Sequence, residues 1–329
     1  MLNKTLAGRA AIICSIAFLT LGLFALPGYA QKSFPSRPIT IISPYGAGGA
    51  NDTLGRMFGV LMEKDLGQPV NVVNRVGGSG AVGHTAGATA APDGYTITNI
   101  TGEITMLHWL GMAKVTYKDV RGLVLYCFIP GAVNVRADAP WNTLKDIQDY
   151  IKANPGKLKA SGTSKGGTWD LCRAGWLKNA GIPIDALPWV PSNGAAPALQ
   201  ELAAGGVQVV TCSLAEARAM IEAKKVKSLA VMDDKRAEIF PDVPTLKELS
   251  VNWTSGAWLG LAVPKATPDD IVSILEKSVE RAMTSQEFKD FMKKNGFQTW
   301  FKPSREFDRY MAEDDEIKGR ILKEVGIVK

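Results

Sequence analysis

The feature that most constrains the fold is a glycine-rich turn at residues 43–52, which separates an apolar run from an amphipathic helical pattern. The turn reads Ser-Pro-Tyr-Gly-Ala-Gly-Gly-Ala-Asn-Asp, and the run before it, residues 39–42, is typical of a buried strand. A strand that ends in such a turn and opens a helix leaves several backbone N–H groups without partners in one small volume. Because those groups attract negative charge, the turn is predicted to bind an anion.

Short apolar runs alternate with helical patterns along the rest of the chain. The first helix is predicted from Asp52 to about Leu66, where Gly67 ends it. Strand patterns follow at residues 70–73, 95–100, 158–161, 186–190, 207–212 and 228–232. One helical pattern ends at Ala90. The others span residues 144–154, 169–180, 197–204, 268–283, 286–295 and 304–325. This alternation predicts parallel βαβ units and therefore an α/β fold.

The first thirty residues are predicted to be a secretory signal peptide. Lys4 and Arg9 form a basic start, residues 10–26 are almost entirely apolar, and the small residue Ala30 offers a cleavage site. An uncleaved membrane anchor is the alternative, because the apolar run is just long enough to span a bilayer. The leader has no paired arginines, which indicates export of an unfolded chain without a preloaded cofactor.

The length of the remaining chain, about 300 residues, predicts two lobes. Apolar stretches at residues 132–136 and 257–264 are expected to be strands where the chain crosses between lobes. The predicted lobes are residues 31–133 with 257–329, and residues 134–256. Each lobe is expected to hold a mostly parallel sheet flanked by helices, and a two-strand hinge joins them.

Charge and cysteine content exclude some functions. Removing the leader lowers the formal net charge from +6 to +4, and the basic residues are scattered, so no nucleic-acid partner is expected. Three cysteines remain, Cys127, Cys172 and Cys212, which is not a disulfide framework for a chain of this size. A single disulfide between two of them is the alternative, if the chain lies in an oxidising compartment.

Two patterns typical of enzymes are only partly matched by the residues present. Gly78, Gly80 and Gly83 have dinucleotide-fingerprint spacing, but residues 74–77 separate them from their strand and an exported chain meets no nucleotide pool. Only two histidines, His84 and His108, are available as bases, and neither a G-x-S-x-G motif nor zinc-ligand spacing occurs. The sequence therefore predicts no catalytic residue, no cofactor and no metal.

Three strand-to-helix turns share one chemistry and are expected at carboxyl ends of parallel strands, where α/β sheets bind ligands. They lie at residues 45–52, 161–169 and 192–194, and they could face each other across a cleft. The candidate ligand-binding residues are Tyr45, Gly46, Ala47, Gly48, Gly49, Asp52, Thr101, Ser161, Thr163, Ser164, Lys165, Thr168, Trp169, Ser192, Asn193 and Gly194.

A series of short motifs covers essentially the whole exported chain. They are FPSRPI at 34–39, LGQPV at 66–70, VNR at 73–75, PDGYT at 92–96, NPGKL at 154–158, GGV at 205–207, FPDVPT at 240–245 and VGI at 325–327. In this order they resemble the receptors of tripartite tricarboxylate transporters, the Bug family of periplasmic solute-binding proteins. The resemblance implies a type II periplasmic-binding-protein fold that closes on a small carboxylate and delivers it to membrane permease subunits.

The resemblance also implies a binding mode in which backbone amides and ordered waters hold one carboxylate of the ligand. Gly48, Gly49 and Asp52 match the family's Gly-Gly-x-x-Asp motif, and Asp52 is expected to cap its helix rather than contact the ligand. The chain departs from the family pattern at Ala47, where a proline is usual, and at Trp169, where a histidine is usual.

Several side chains near the predicted cleft leave alternatives open. Trp169 and Trp189 stack on a flat substrate or belong to the core. Lys165 binds a second carboxylate or is solvated. Glu103 would repel a dianion, pair with an amine or point away. The predicted function is a receptor for a di- or tricarboxylate or an aromatic acid; a sensor subunit acting through a membrane kinase and an enzyme on the same scaffold are the alternatives.

Overall fold

The computed structural model describes residues 34 to 328, which contain nine strands and nine α-helices. The strands are β1 (Ile39–Ser43), β2 (Val70–Asn74), β3 (Thr96–Thr101), β4 (Val120–Arg136), β5 (Ala160–Ser161), β6 (Val209–Ser213), β7 (Val226–Val231), β8 (Gly256–Pro264) and β9 (Gln298–Pro303). The helices are α1 (Ala50–Leu66), α2 (Ala81–Ala88), α3 (Leu144–Ala153), α4 (Thr168–Asn179), α5 (Ala195–Ala204), α6 (Leu214–Glu222), α7 (Asp269–Thr284), α8 (Gln286–Asn295) and α9 (Ser304–Glu324). Short 3-10 helices lie at Gly102–Thr105, Tyr117–Asp119 and Ile184–Ala186.

The strands form two sheets that share the long strand β4. In the first sheet β1 lies between β2 and β3, parallel to both, and β8 joins β3 to the first part of β4. Strand β9 also pairs with this part of β4. In the second sheet the last part of β4, residues 131–136, pairs with β6 and β7, and β5 lies parallel to β6. Strand β4 therefore passes from one sheet into the other between Pro130 and Gly131.

The sheets contain more antiparallel pairing than the mostly parallel sheets predicted from the sequence. Parallel pairs occur between β1 and β2, β1 and β3, and β5 and β6, whereas every pair made by β4 or β8 is antiparallel. A parallel pair needs a crossover connection, and the parallel pairs are those whose strands are joined through helices. The two strands expected at the lobe crossings are parts of β4 and β8, and both run antiparallel to their neighbours.

One predicted strand is wrong, and two elements have no counterpart among the predicted ones. Residues 186–190 form no strand beyond a single bridge between Ala160 and Trp189. Pro188 and Pro191 flank that bridge, and proline cannot donate to a strand ladder. Helix α6 and strand β9 are absent from the sequence prediction.

The N-terminus of α1 is tied to the first sheet by a reciprocal amide pair. The Asn51 side-chain amide donates to the backbone oxygen of Asn99 at 2.8 Å, and the Asn99 amide donates to the backbone oxygen of Asn51 at 2.6 Å. The Ser43 hydroxyl donates to Asn51 Oδ1 at 2.7 Å. All three residues are buried. These bonds fix the start of α1 above the ends of β1 and β3.

Glycines of α2 allow that helix to pack closely on its neighbours. A Cβ on Gly83 would lie 2.6 Å from the Cα of Pro44, and one on Gly87 would overlap the Thr98 side chain. Gly80, which precedes the helix, has a φ of 83°, a left-handed conformation that favours glycine. The glycine run at 77–83 thus serves packing and a tight turn.

The three cysteines are buried and unbridged. Cys127, Cys172 and Cys212 are free thiols, so the alternative of one disulfide is not realised. Burial raises the pKa of Cys172 to about 12, which keeps it a thiol at neutral pH. Among residues 34 to 328, no helix has an apolar stretch that could cross a bilayer. The predicted signal peptide, residues 1–30, lies outside the described residues.

Candidate ligand-binding site

A cavity of about 60 Å³ lies where the three glycine-rich turns meet. Its lining comes from both sheets. The lining residues are Tyr45, Gly46, Gly49, Ala50, Asn51, Thr101, Glu103, Ile129, Thr163, Thr168, Trp169, Asn193, Gly194, Ala195, Ala196, Pro197, Glu216, Ala257 and Leu259. A cavity of this size suits a small organic molecule.

The structure brings together nine of the sixteen predicted binding residues. Those that line the cavity are Tyr45, Gly46, Gly49, Thr101, Thr163, Thr168, Trp169, Asn193 and Gly194. Outside its lining lie Ala47, Gly48, Asp52, Ser161, Ser164, Lys165 and Ser192. Direct contact of any of them with a ligand remains a prediction.

The turns approach each other closely around the cavity. A Cβ on Gly46 of the first turn would lie 4.0 Å from the backbone oxygen of Asn193 in the third. The second turn meets the first sheet through the Thr168 N–H, which donates to Glu103 Oε1 at 3.1 Å. Residues distant in sequence therefore enclose one volume.

Two helices begin at the cavity with free backbone donors. Helix α1 follows Gly49 and helix α5 follows Gly194, and neither glycine offers a side-chain cap. Among the described residues, the N–H groups of Ala50, Asn51, Ala195 and Ala196 donate to no other protein group, as expected for the first turn of a helix. These N–H groups and the helix dipoles make the cavity attractive to an anion.

Two threonine hydroxyls add to these donors. Thr163 and Thr168 line the cavity and are 5% and 3% exposed, and the Oγ1 atom of each has no hydrogen-bond partner in the part of the chain described. A buried hydroxyl without a partner is costly. A ligand oxygen in the cavity is the kind of partner that both hydroxyls lack.

Asp52 stabilises the first turn from behind the cavity. Its carboxylate accepts the Gly48 N–H at 3.0 Å and the Asn74 amide at 2.9 Å, and it pairs with Arg56 at 2.9 Å. Burial alone would raise the pKa of Asp52, but these bonds outweigh it and lower the pKa. Asp52 is the third residue of α1 rather than the N-cap residue, so it closes the turn by reaching back to Gly48.

The second turn repeats this arrangement with Asp170. Its carboxylate accepts the Gly166 N–H at 2.8 Å and pairs with Arg173 at 2.6 Å, and both side chains are almost fully buried. Arg173 also donates to the backbone oxygens of Ile184 and Leu187, each at 2.7 Å. The pair therefore links the start of α4 to the segment that leads to the third turn.

Lys165 and the tryptophans lie in different surroundings. Lys165 is exposed and lines a separate surface pocket with Asp170 and Arg173, which favours the solvated alternative. Trp169 is buried and lines the cavity. Trp189 does not line it; its indole N–H donates to the Thr163 backbone oxygen at 3.1 Å. Trp189 thus supports the second turn, and only Trp169 is placed near a ligand.

Glu103 is a cavity residue absent from the predicted binding set. Its Oε2 accepts the Thr101 hydroxyl at 2.5 Å, and its Oε1 accepts the Thr168 N–H. Burial would raise the pKa of Glu103, but these hydrogen bonds and the charge of Lys318 outweigh burial and lower the pKa. Lys318 lies behind it, donating to the Gly102 oxygen at 3.1 Å. Glu103 is therefore an ionised carboxylate at the cavity wall.

Glu216 is the second carboxylate of the lining. Its Oε2 accepts the Ser213 N–H at 3.1 Å and the Ser213 hydroxyl at 2.8 Å, which forms a capping box at the start of α6. Burial raises the pKa of Glu216 to about 6, and the charge of Glu103 contributes. The Ser213-x-x-Glu216 spacing is a sequence signal for the helix, but nothing local predicts that Glu216 reaches the cavity.

The stability of the protein is expected to depend on pH through Glu216. The groups that interact with its charge are Glu103, Tyr45, Cys127 and Cys212. The pKa of Glu216 is about 6 in the folded state and 4.5 in the reference state, so the unfolded chain loses its proton first as pH rises. This group therefore lowers stability between those pH values, by about 2 kcal/mol in full.

Glu216→Gln removes that titration and keeps a capping side chain at α6. The variant is expected to gain melting temperature relative to the unmodified protein as pH rises from 5 to 7. Thermal unfolding of both proteins across this range measures the difference. A difference that stays constant with pH contradicts the assignment.

The two histidines lie outside the cavity lining. His84 is buried; its Nδ1 contacts the Gly80 oxygen at 2.8 Å and its Nε2 accepts the Thr101 N–H at 3.2 Å. His108 lies 3.3 Å from Asp315. His84 positions the end of β3, and within residues 34–328 no lysine, arginine or histidine lines the cavity.

The fold and the site together define an α/β binding protein with a small ligand cavity between two sheets. The chain belongs to the family described as the tripartite tricarboxylate transporter family receptor, which matches residues 55–327. The predicted family is therefore confirmed.

Solved structures agree with this assignment. The chain is 34% identical to a TctC solute binding protein from Polaromonas solved without ligand, covering 89% of this chain and all of that one, with a TM-score of 0.66. It is 27% identical to the periplasmic binding protein BugD, covering 90% and 100%, with a TM-score of 0.84. It is also 27% identical to MatC from Rhodopseudomonas palustris with bound malate, covering 88% and 100%, with a TM-score of 0.80. The predicted two-lobed periplasmic-binding-protein fold is confirmed.

Proposed function

We propose that this protein is a periplasmic solute receptor that captures a small carboxylate in the cavity and presents it to the permease subunits of a tripartite tricarboxylate-type transporter. The observation that carries the proposal is the convergence of free donors. The N–H groups at the starts of α1 and α5 and the hydroxyls of Thr163 and Thr168 share one cavity. The malate bound by the related MatC is a ligand of this class.

These donors can supply the free energy of micromolar binding without an arginine side chain. Micromolar binding requires about 8 kcal/mol. A hydrogen bond to a charged group contributes about 1.5–3 kcal/mol, so three or four well-placed donors and closure of the lobes reach that value. Recognition by backbone groups also explains why the lining has no basic side chain among the described residues.

We further propose that the lobes are residues 31–133 with 257–329 and residues 134–256, and that residues 1–30 are removed on export. The passage of β4 between the sheets at residues 130–131 supports the first boundary, and the start of β8 at Gly256 supports the second. Closure about these strands would bring the second and third turns onto the first. The close approach of the Asn193 backbone oxygen to Gly46 is compatible with a closed arrangement.

Thermal unfolding with a panel of acids tests the proposal. The protein without residues 1–30 is mixed with aliphatic and aromatic mono-, di- and tricarboxylates, each at millimolar concentration. At a hundredfold excess over Kd, ligand linkage adds about 2.7 kcal/mol, and a rise of roughly 5–10 °C in melting temperature is expected. Methyl esters of the same acids are the matched control and are expected to have no effect. No shift with any acid contradicts the proposal.

A further inference from the structure

The cavity contains two carboxylates although its other groups are arranged for an acid. Glu103 and Glu216 both line it, and no basic side chain in the described part of the chain lines it with them. Lys318, whose charge acts on Glu103 from outside the lining, is itself paired with Asp314 at 2.9 Å. Each charge affects the other, since Glu103 contributes to the raised pKa of Glu216. A ligand that carried only negative charge would therefore enter a cavity that already holds two acidic groups.

The two carboxylates are also bound to helix starts of their own. Glu103 occupies the first N–H of α4, at Thr168, and Glu216 caps α6 through Ser213. The N–H groups at the starts of α1 and α5 remain free of protein partners among residues 34–328. The cavity is thus electrostatically divided: α1 and α5 favour an anionic group, and the wall with Glu103 and Glu216 favours a cationic one.

Both acidic residues have room to accept a further hydrogen bond. A carboxylate has about four lone-pair sites. Glu216 uses only Oε2, for its two bonds to Ser213, and Glu103 accepts one bond at each oxygen. The described residues contain no cluster of three or more His, Cys, Asp or Glu side chains suited to a metal ion. An organic ammonium group, with its three donors, matches the acceptors that remain.

The rest of the lining suits a short carbon skeleton. Ile129, Ala257, Leu259 and the buried Trp169 provide apolar surface. The volume of about 60 Å³ leaves room for a few carbon atoms between the two polar regions.

We propose that the ligand is a small amino acid-like zwitterion whose carboxylate binds at the starts of α1 and α5 and whose ammonium group is received by Glu103 and Glu216. The inference rests on the proposed receptor function and specifies its substrate class. Under this proposal Glu103 pairs with an amine of the ligand, which is one of the three alternatives that the sequence left open.

Calorimetric titration with matched acids tests this. Aspartate is compared with succinate and glutamate with glutarate at pH 7.5, so that each pair differs only by the amine. The unmodified protein is expected to bind an amine-bearing acid at least tenfold more tightly than its amine-free partner. Glu216→Gln and Glu103→Gln are each expected to reduce that ratio about tenfold. Glu222→Gln, an exposed change on the same helix α6, is the matched control and is expected to keep the ratio.

The outcomes separate the two proposals. Equal or tighter binding of the amine-free acids overturns the inference and leaves the receptor function standing. A preference for the amine that persists in both glutamine variants overturns the assignment to Glu103 and Glu216. Binding of neither series, together with the absence of any shift across the broader acid panel, contradicts the receptor function and the inference with it.

Discussion

Replacing Gly49 with leucine is expected to abolish ligand binding, with a loss of affinity above a hundredfold, while the protein still folds. Gly49 lines the cavity and precedes the first helix. Its φ of −77° and ψ of 169° are open to any residue, and the nearest atom to an added Cβ is the Gly46 oxygen at 3.6 Å. The isobutyl group would occupy volume at the free N–H groups of α1, in a cavity of only about 60 Å³.

Calorimetric titration with the best acid from the thermal panel measures the loss of affinity. The melting temperature without ligand is expected to change by no more than about 3 °C, since an exposed or partly exposed change of this kind costs little stability. Ala47→Leu is the matched control because Ala47 is exposed in the same turn and outside the cavity lining. Unchanged affinity in Gly49→Leu locates the ligand elsewhere.

Replacing Arg173 with methionine is expected to destabilise the protein by about 3–5 kcal/mol. Arg173 is 4% exposed, pairs with Asp170 and donates to two backbone oxygens. Its removal leaves the Asp170 carboxylate buried without this counter-charge and takes the Arg173 donors away from the Ile184 and Leu187 carbonyls, which is the costly way to break a buried pair. Because Asp170 also accepts the Gly166 N–H, the second turn loses support as well.

Urea unfolding compares Arg173→Met with Lys145→Met as the control. Lys145 pairs with Asp149 across one turn of α3, but its side chain is 79% exposed, and exposed pairs contribute at most about 1 kcal/mol. The double variant Asp170→Asn/Arg173→Met is expected to lose less than the sum of its single changes, because the two residues interact directly. A loss in Arg173→Met no larger than in Lys145→Met refutes the assigned role.

The helices and the turns were largely predictable because their signals are local. Helix α8 matches the predicted 286–295, and α3 ends one residue before the predicted limit. In both helices a hydroxyl cap, Ser285 or Thr143, begins an amphipathic stretch, so the chain itself marks the boundary. The strand predicted at 186–190 was wrong. Its apolar composition indicated a strand, but Pro188 and Pro191 limit its pairing to a single bridge.

The candidate site was predictable in its backbone and only partly in its side chains. The turns that contain Gly49, Thr168 and Gly194 do meet at one cavity. Glu216 belongs to a helix that was not predicted, although the Ser213-x-x-Glu216 spacing marks its start. Lys165, in the middle of a predicted turn, is exposed outside the cavity lining. The direction of a side chain depends on the packing of its whole element, which residue spacing does not specify.

The sequence by itself was enough to establish the α/β class, the family and the glycine turns with their free N–H groups. Each of these is recognised from short stretches of neighbouring residues and from the order of those stretches along the chain. The placement of Glu103 against the Thr168 N–H, sixty-five residues away, and of Glu216 beside it was decided only by the tertiary structure. Long-range contacts of this kind follow from how the two sheets come together. They determine whether the cavity accepts an acid alone or an acid that also carries an amine.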